Sequence, residues 1–230
     1  KKNKLKIDGF NINYLAKKYK TPIYCYSLRK IKNNIESLKR NFKKINPLIC
    51  YAVKANTNLS ILKEIKNYNL GADVVSIGEL KKALKAGISP KKIVFSGVGK
   101  TFEEIEYAVS KNILLINAES KSEILVIEKI AKKKTKIVNI GIRLNPNIDA
   151  QTLSQISTGK KENKFGVDQK IFLQLVDQVK KSRFLNLKCL SIHIGSQILN
   201  YKPYQKVLKI IEKILKKSNH KFEYIDLGGG

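Results

Sequence analysis

Residues 72–98 read ADVVSIGELKKALKAGISPKKIVFSGV. A short valine-rich run, ADVVSI, leads into an amphipathic segment that ends at Gly87, and a second apolar run, KIVFSGV, begins at Lys92. Runs that are apolar on both faces are typical of buried parallel strands. Glycine is common directly after the last turn of a helix. The stretch therefore predicts one strand–helix–strand unit with a right-handed crossover.

The same unit recurs along the chain. Further strand candidates begin near Ile49, Ile113, Ile137, Lys188 and Glu223, and amphipathic segments fill the intervals. Seven strands in such a repeat predict an α/β protein, a (βα)8 TIM-type barrel that is incomplete at its C-terminus. The alternative is a doubly wound open sheet. No G-x-G-x-x-G sequence follows the first strand, which argues against it.

The N-terminal portion does not follow this repeat. Residues 1–27 include a strand-like stretch, PIYCYS, at residues 22–27. We therefore predict two parts, an N-terminal segment at residues 1–27 and a barrel at residues 28–230. The sequence contains no methionine and ends on DLGGG. From these two features we expect a fragment. The count of seven strands predicts that the last barrel strand is absent, and we expect a chain without it to be inactive alone.

The composition limits the possible partners. The formal net charge is +28, which invites a nucleic-acid interpretation. Only four of the 46 basic residues are arginine, the usual choice for bidentate contacts to phosphates and bases, so we expect no specific nucleic-acid binding. The apolar runs are too short to span a bilayer. Three cysteines in apolar runs predict buried free thiols in a reducing cytoplasm.

Barrel enzymes place their active sites at the carboxyl ends of the strands. The polar residues at the predicted strand ends are Lys54, Asp73, Ser96, Asn117, Arg143, His193, Ser196, Asp226 and the glycines Gly228, Gly229 and Gly230.

Lys54, His193, the glycine run and Arg143 each have a functional and a plainer interpretation. Lys54 ends an apolar strand, where a desolvated lysine can bind a carbonyl compound covalently, or where its side chain simply reaches solvent. His193 is either a buried structural histidine or a ring that stacks on a planar ligand. The three glycines either let backbone N–H groups approach a phosphate or form a tight turn. Arg143 binds a carboxylate or phosphate, or forms a structural ion pair.

Four motifs in order resemble those of the fold-type III, alanine-racemase-like pyridoxal-phosphate (PLP) enzymes, within them the class 2 Orn/Lys/Arg decarboxylases. Residues 51–56, YAVKAN, resemble the PLP-lysine motif, and residues 191–197, SIHIGSQ, resemble a second signature. The ISTG at residues 156–159 with KFG at residues 164–166 is similar to a loop of the family, and DLGGG at residues 226–230 is similar to its phosphate-binding loop. Thr152 is followed by Leu153, where the family usually has a histidine.

The resemblance implies a PLP-dependent decarboxylase of lysine biosynthesis in the cytoplasm, a homodimer with a small amino acid, meso-2,6-diaminopimelate, as substrate. It implies that Lys54 binds the cofactor covalently, that His193 stacks on its ring, and that Ser196 and the glycines hold its phosphate. Asp73, Glu79 and Arg143 would arrange the lysine and the pyridine side. It also implies a C-terminal β-domain, to which part of residues 1–27 belongs. Other enzymes of this fold type, such as ornithine or arginine decarboxylases, racemases and PLP-carrier proteins, stay open as alternatives.

Overall fold

The computed structural model describes residues 5–149 and 165–229 and divides into two compact units, Lys1–Ile49 and Cys50–Gly230. The first unit contains a hairpin of β1 (Lys6–Ile7) and β2 (Phe10–Asn11), followed by α1 (Ile12–Tyr19) and α2 (Leu28–Asn41). Asp8 and Gly9 turn the hairpin with φ of 47° and 91°, because a two-residue loop of this kind requires positive φ at both positions.

Two predictions for this unit were wrong. Residues 22–27 are assigned to no strand. Cys25, which was expected to be buried, is exposed, whereas Cys50 is half-buried and Cys189 is buried. The stretch around Cys25 is apolar in composition, but Tyr24 and Tyr26 beside it are also largely exposed.

The second unit is an alternation of strands and helices. Its strands are β3 (Cys50–Ala52), β4 (Gly71–Val74), β5 (Ile93–Phe95), β6 (Leu115–Ala118), β7 (Val138–Arg143), β8 (Leu185–Ser191) and β9 (Tyr224–Asp226). Its helices are α3 (Leu59–Asn67), α4 (Ile77–Lys85), α5 (Phe102–Ser110), α6 (Lys121–Lys133), α7 (Gln169–Lys180) and α8 (Lys202–Ser218), with one-turn 3-10 helices at Val53–Ala55 and Pro90–Lys92. All seven predicted strands are confirmed.

The seven strands form one parallel sheet in the order of the sequence, each strand paired with the next. A doubly wound sheet would need a point at which the strand order reverses, and this sheet has none among the described residues. The predicted incomplete α/β barrel is therefore confirmed and the alternative is excluded.

The sheet is strongly curled. β6 and β9 are three strands apart, which in a flat sheet is about 14 Å at the usual strand spacing. Nevertheless the side-chain amide of Asn117 on β6 donates to Asp226 on β9 at 3.0 Å. The strands must therefore curve around a shared interior, as barrel strands do.

This interior is layered, because alternate residues of each strand face it. The layer nearer the amino ends of the strands is apolar and contains Val94, Leu115 and Cys189, with Cys50 and Tyr224 packed against them. The layer above it is polar and consists of Asp73, Ser96, Asn117, Ser191 and Asp226. The opposite face of the strands, with Ile93, Phe95, Ile116, Ile140 and Ile142, is fully buried. In the described part of the chain, no helix is long and apolar enough to cross a membrane.

Candidate functional site

Lys54 lies in the 3-10 turn Val53–Ala55, directly after β3. Val53 is fully buried and anchors this turn, while the side chain of Lys54 is exposed at the carboxyl end of the strands. The ammonium group is near enough to lower the pKa of both Asp73 on β4 and His193 after β8. The structure therefore brings together three predicted site residues from three separate strands.

Asp73 belongs to a hydrogen-bonded layer that lies directly under the mouth of the barrel. Ser96 donates to Asp73 at 2.6 Å, and the Asn117 amide donates to Ser96 at 3.4 Å, to Ser191 at 3.3 Å and to Asp226 at 3.0 Å. Ser191 also donates to Asp226 at 2.9 Å. The layer thus connects residues of β4, β5, β6, β8 and β9 across the interior.

The pKa of Asp73 is raised from its ordinary value to about 6, chiefly by burial and also by the negative charges of Asp226 and Glu79. The hydrogen bond from Ser96 and the charge of Lys54 act in the opposite direction. Burial and the neighbouring carboxylates outweigh the hydrogen bond from Ser96 and the charge of Lys54. Asp73 is therefore able to hold or release a proton near neutral pH.

His193 follows β8 and its imidazole is half-buried. Burial lowers its pKa to about 4, with the charges of Arg143 and Lys54 as further causes. The ring is therefore neutral at physiological pH. The backbone N–H of Gly229 donates to Nδ1 at 3.3 Å, so Nδ1 is the acceptor and the ring hydrogen resides on Nε2.

The glycine run crosses close to this histidine. Gly228 has a φ of 68°, and a Cβ at this position would lie 2.7 Å from Nδ1 of His193 and 2.7 Å from the carbonyl oxygen of Ile192. A Cβ on Gly229 would meet no atom within 4 Å. Gly228 is therefore required by the close approach of two chain segments, and Gly229 leaves open space beside its backbone. Gly230 lies outside the described residues.

Arg143 is buried at the end of β7 and is paired with an acid that the sequence did not single out. Its Nη1 lies 2.9 Å from Oε1 of Glu119, which follows β6, and its Nη2 donates to the carbonyl oxygen of His193 at 3.4 Å. The guanidinium also lies over the ring of Phe165 at 4.9 Å. Glu119 and Arg143 are only 5% and 7% exposed, so their pairing offsets the cost of burying each charge.

The remaining predicted residues are placed differently. Glu79 accepts from the backbone N–H of Val75 at 2.9 Å, where it fixes the turn between β4 and α4. Ser196 lies in the bend after β8 and is half-buried. The family-like ISTG at residues 156–159 and the pair Thr152–Leu153 lie outside the described residues.

Sequence reasoning also missed a buried lysine. The side chain of Lys100 is 0% exposed, and its Nζ donates to the carbonyl oxygens of Gly97 at 2.6 Å and Asn117 at 2.8 Å and to Glu123 at 2.6 Å. In a chain with so many lysines, a single buried one carries no compositional signal. Glu119 did carry a signal, because it is an acid directly after the predicted strand that begins near Ile113.

Comparison with known families bears on these residues. A family model described as "Pyridoxal-dependent decarboxylase, pyridoxal binding domain" matches residues 28–230. The chain belongs to this decarboxylase family. The cofactor of the family is pyridoxal 5'-phosphate.

The similarity of this decarboxylase domain to individual proteins is extensive. It is 50% identical over 225 residues to the diaminopimelate decarboxylase of Helicobacter pylori strain J99, a match that covers 96% of this chain and 55% of that protein. It is 44% identical to the diaminopimelate decarboxylase of Campylobacter jejuni, over 94% of this chain and 54% of that protein. The chain thus spans about half the length of the curated relatives it matches.

Solved structures agree with this fold. The crystal structure of the Helicobacter pylori diaminopimelate decarboxylase complexed with L-lysine superimposes with a TM-score of 0.91 at 49% identity, covering 96% of this chain and 57% of that one. The diaminopimelate decarboxylase of M. jannaschii in co-complex with L-lysine gives a TM-score of 0.91 at 36% identity, covering 100% of this chain and 56% of that one.

The residues of this decarboxylase domain fit pyridoxal phosphate. The mouth of the barrel offers an exposed lysine, a neutral imidazole and open space beside the backbone of Gly229, where a side chain would otherwise intrude. The N–H of Gly228 donates to Asp226 at 2.8 Å, so it is already engaged, whereas the N–H of Gly229 makes only a long contact at 3.3 Å.

Proposed function

We propose that the protein carrying this chain decarboxylates meso-2,6-diaminopimelate to L-lysine, with pyridoxal phosphate held covalently by Lys54. The observation that carries the proposal is the meeting of Lys54, Asp73 and His193 at one barrel mouth, each from a different strand. The substrate is suggested by the relatives with 50% and 44% identity, which are diaminopimelate decarboxylases.

Each residue has a role that follows from its surroundings. Lys54 needs an unprotonated amine to bind a carbonyl carbon, and Asp73 is the carboxyl group of the site whose pKa the charge of Lys54 lowers. A neutral His193 presents a planar ring without a charge that would repel a cationic partner. Arg143 supplies the nearby positive charge, and the backbone at Gly229 provides room and an N–H donor for a phosphate. When bound, pyridoxal phosphate accepts the electron pair released as carbon dioxide leaves.

Attachment at Lys54 is tested by the visible absorbance that develops when pyridoxal phosphate is added to the whole protein. We expect the band in the wild type and its loss in Lys54→Ala. Lys82→Ala is the matched control, because Lys82 is an exposed lysine nearby, whose Nζ donates to Thr57 at 2.8 Å. A band that persists in Lys54→Ala would contradict the assignment of the lysine.

The substrate is tested by release of carbon dioxide from meso-diaminopimelate, with ornithine, arginine and lysine as competitors. Preference for ornithine or arginine would move the protein to a sister decarboxylase, and racemisation without carbon dioxide would make it a racemase. We further propose that the protein is a cytoplasmic homodimer. Light scattering on the whole protein tests the oligomeric state, and a monomer at micromolar concentration would contradict the dimer.

A further inference from the structure

We propose that Glu119 is a positioning residue for the cofactor site, which acts by holding Arg143 and, through it, the backbone of His193. The inference rests on the proposed function, since it concerns the same barrel mouth. It begins from the position of Glu119, which is 5% exposed and lies immediately after β6.

The carboxylate of Glu119 ties three segments together. Oε1 accepts from Nη1 of Arg143 at 2.9 Å and from the backbone N–H of Gly97, after β5, at 3.0 Å. Oε2 accepts from the backbone N–H of Gly166, which precedes α7, at 3.2 Å. A buried carboxylate that accepts three hydrogen bonds has little freedom to move, so it fixes the guanidinium as well.

Arg143 passes this constraint to the histidine. Its Nη2 reaches the carbonyl oxygen of His193 at 3.4 Å, and its charge helps to lower the pKa of the imidazole. The guanidinium also packs against the ring of Phe165, with Cζ 4.9 Å from the ring centroid. The long Nη2 contact is sensitive to small rotations, because a hydrogen bond weakens steeply once its geometry opens. Without Glu119, we expect the guanidinium to turn away from His193.

A purely structural ion pair would behave differently, and the chain contains one for comparison. Glu123, in the first turn of α6, pairs with the buried Lys100 at 2.6 Å, and its Oε2 accepts from the backbone N–H of Glu119 at 2.8 Å. This pair is also buried and lies at the same end of the sheet. Among the described residues, the side chain of Glu123 bonds to Lys100 and to the backbone N–H of Glu119, and to neither Arg143 nor His193. Glu123→Gln is therefore the matched control for Glu119→Gln.

The experiment compares the dissociation constant for pyridoxal phosphate in the wild type, Glu119→Gln and Glu123→Gln, in the whole protein. We expect Glu119→Gln to weaken binding about 10-fold and Glu123→Gln to change it less than about 2-fold, given the usual size of such couplings. On an Arg143→Met background, Glu119→Gln should add little, because its effect passes through the arginine. The proposal would be overturned if Glu119→Gln and Glu123→Gln changed the dissociation constant equally. It would also be overturned if the effects of Glu119→Gln and Arg143→Met were fully additive.

A second readout does not depend on the cofactor. In the protein without pyridoxal phosphate, the Nε–Hε resonance of Arg143 should shift in Glu119→Gln and stay in place in Glu123→Gln. If the wild type fails to bind pyridoxal phosphate, the proposed function fails, but this resonance still reports on positioning. A Glu119→Gln protein that does not fold would assign Glu119 a structural role and overturn the proposal.

Discussion

Replacing Gly228 with alanine tests the close approach of the glycine run to His193. The new Cβ would lie 2.7 Å from the carbonyl oxygen of Ile192, 2.7 Å from Nδ1 of His193 and 2.8 Å from its Cβ. Two of these atoms cannot swing away, because one belongs to the backbone and another is attached directly to it. The residue would also keep a φ of 68°, which costs a residue other than glycine about 1–2 kcal/mol.

Forcing a methyl group against atoms that cannot move adds about 1–3 kcal/mol, so we expect Gly228→Ala to reduce the free energy of unfolding by about 2–5 kcal/mol. Gly229→Ala is the control, because a Cβ there meets no atom within 4 Å. We expect this control to stay within about 0.5 kcal/mol of the wild type. Urea denaturation at an unchanged slope measures both differences. A difference below about 1 kcal/mol between the two alanine variants would refute the close approach.

Three further predictions concern the interior. Because the pKa of Asp73 is raised to about 6, the folded protein binds more protons than the unfolded chain between pH 4 and 6, so this carboxyl makes stability fall as pH rises through that window. Between pH 4 and 7 the urea midpoint of the wild type should fall relative to that of Asp73→Asn, and a difference between the two proteins that does not change with pH would contradict it. Ser96→Ala should raise the pKa of Asp73 further, because it removes a stabilising hydrogen bond, and carboxyl carbon NMR titration measures the shift. Lys100→Met should cost about 3–5 kcal/mol of unfolding free energy by stranding Glu123, whereas the exposed Lys82→Met should cost almost nothing; equal thermal melting of the two would contradict the burial of Lys100.

The strands of this fold could be predicted because their signal is local. Each apolar run corresponds to the buried part of one strand. The repeat of such runs therefore predicted seven parallel strands and the positions of their carboxyl ends. The same reasoning grouped Asp73, Ser96, Asn117 and Asp226, which the structure joins by hydrogen bonds. Polar residues within one position of the carboxyl ends of parallel strands share a layer whatever the lengths of the helices between them.

The pairings could not be predicted, because they depend on curvature and register. Arg143 contacts Glu119, which directly follows the adjacent strand. The position of Glu119 at a strand end marks it as a site candidate, but it does not show which of the many basic residues Glu119 pairs with. Lys100 is buried because the loop after β5 folds back over the carbonyl oxygens of Gly97 and Asn117. The predicted burial of Cys25 was wrong, because apolar neighbours in the sequence do not guarantee that other atoms cover the side chain in space.

Gly141 explains how the polar layer fits inside the barrel. A Cβ at this position on β7 would lie 2.1 Å from Oδ1 of Asn117, so any side chain there would expel the amide. Oδ1 itself is buried and has no hydrogen-bond partner in the described part of the chain, a cost of about 1–3 kcal/mol. The cost is accepted because the other end of the same amide donates to Asp226, and the reversed amide would place its oxygen against that carboxylate. The amide is therefore oriented by the carboxylate, the glycine makes that orientation possible, and the apolar layer beneath keeps Asp73 desolvated within reach of the charge of Lys54.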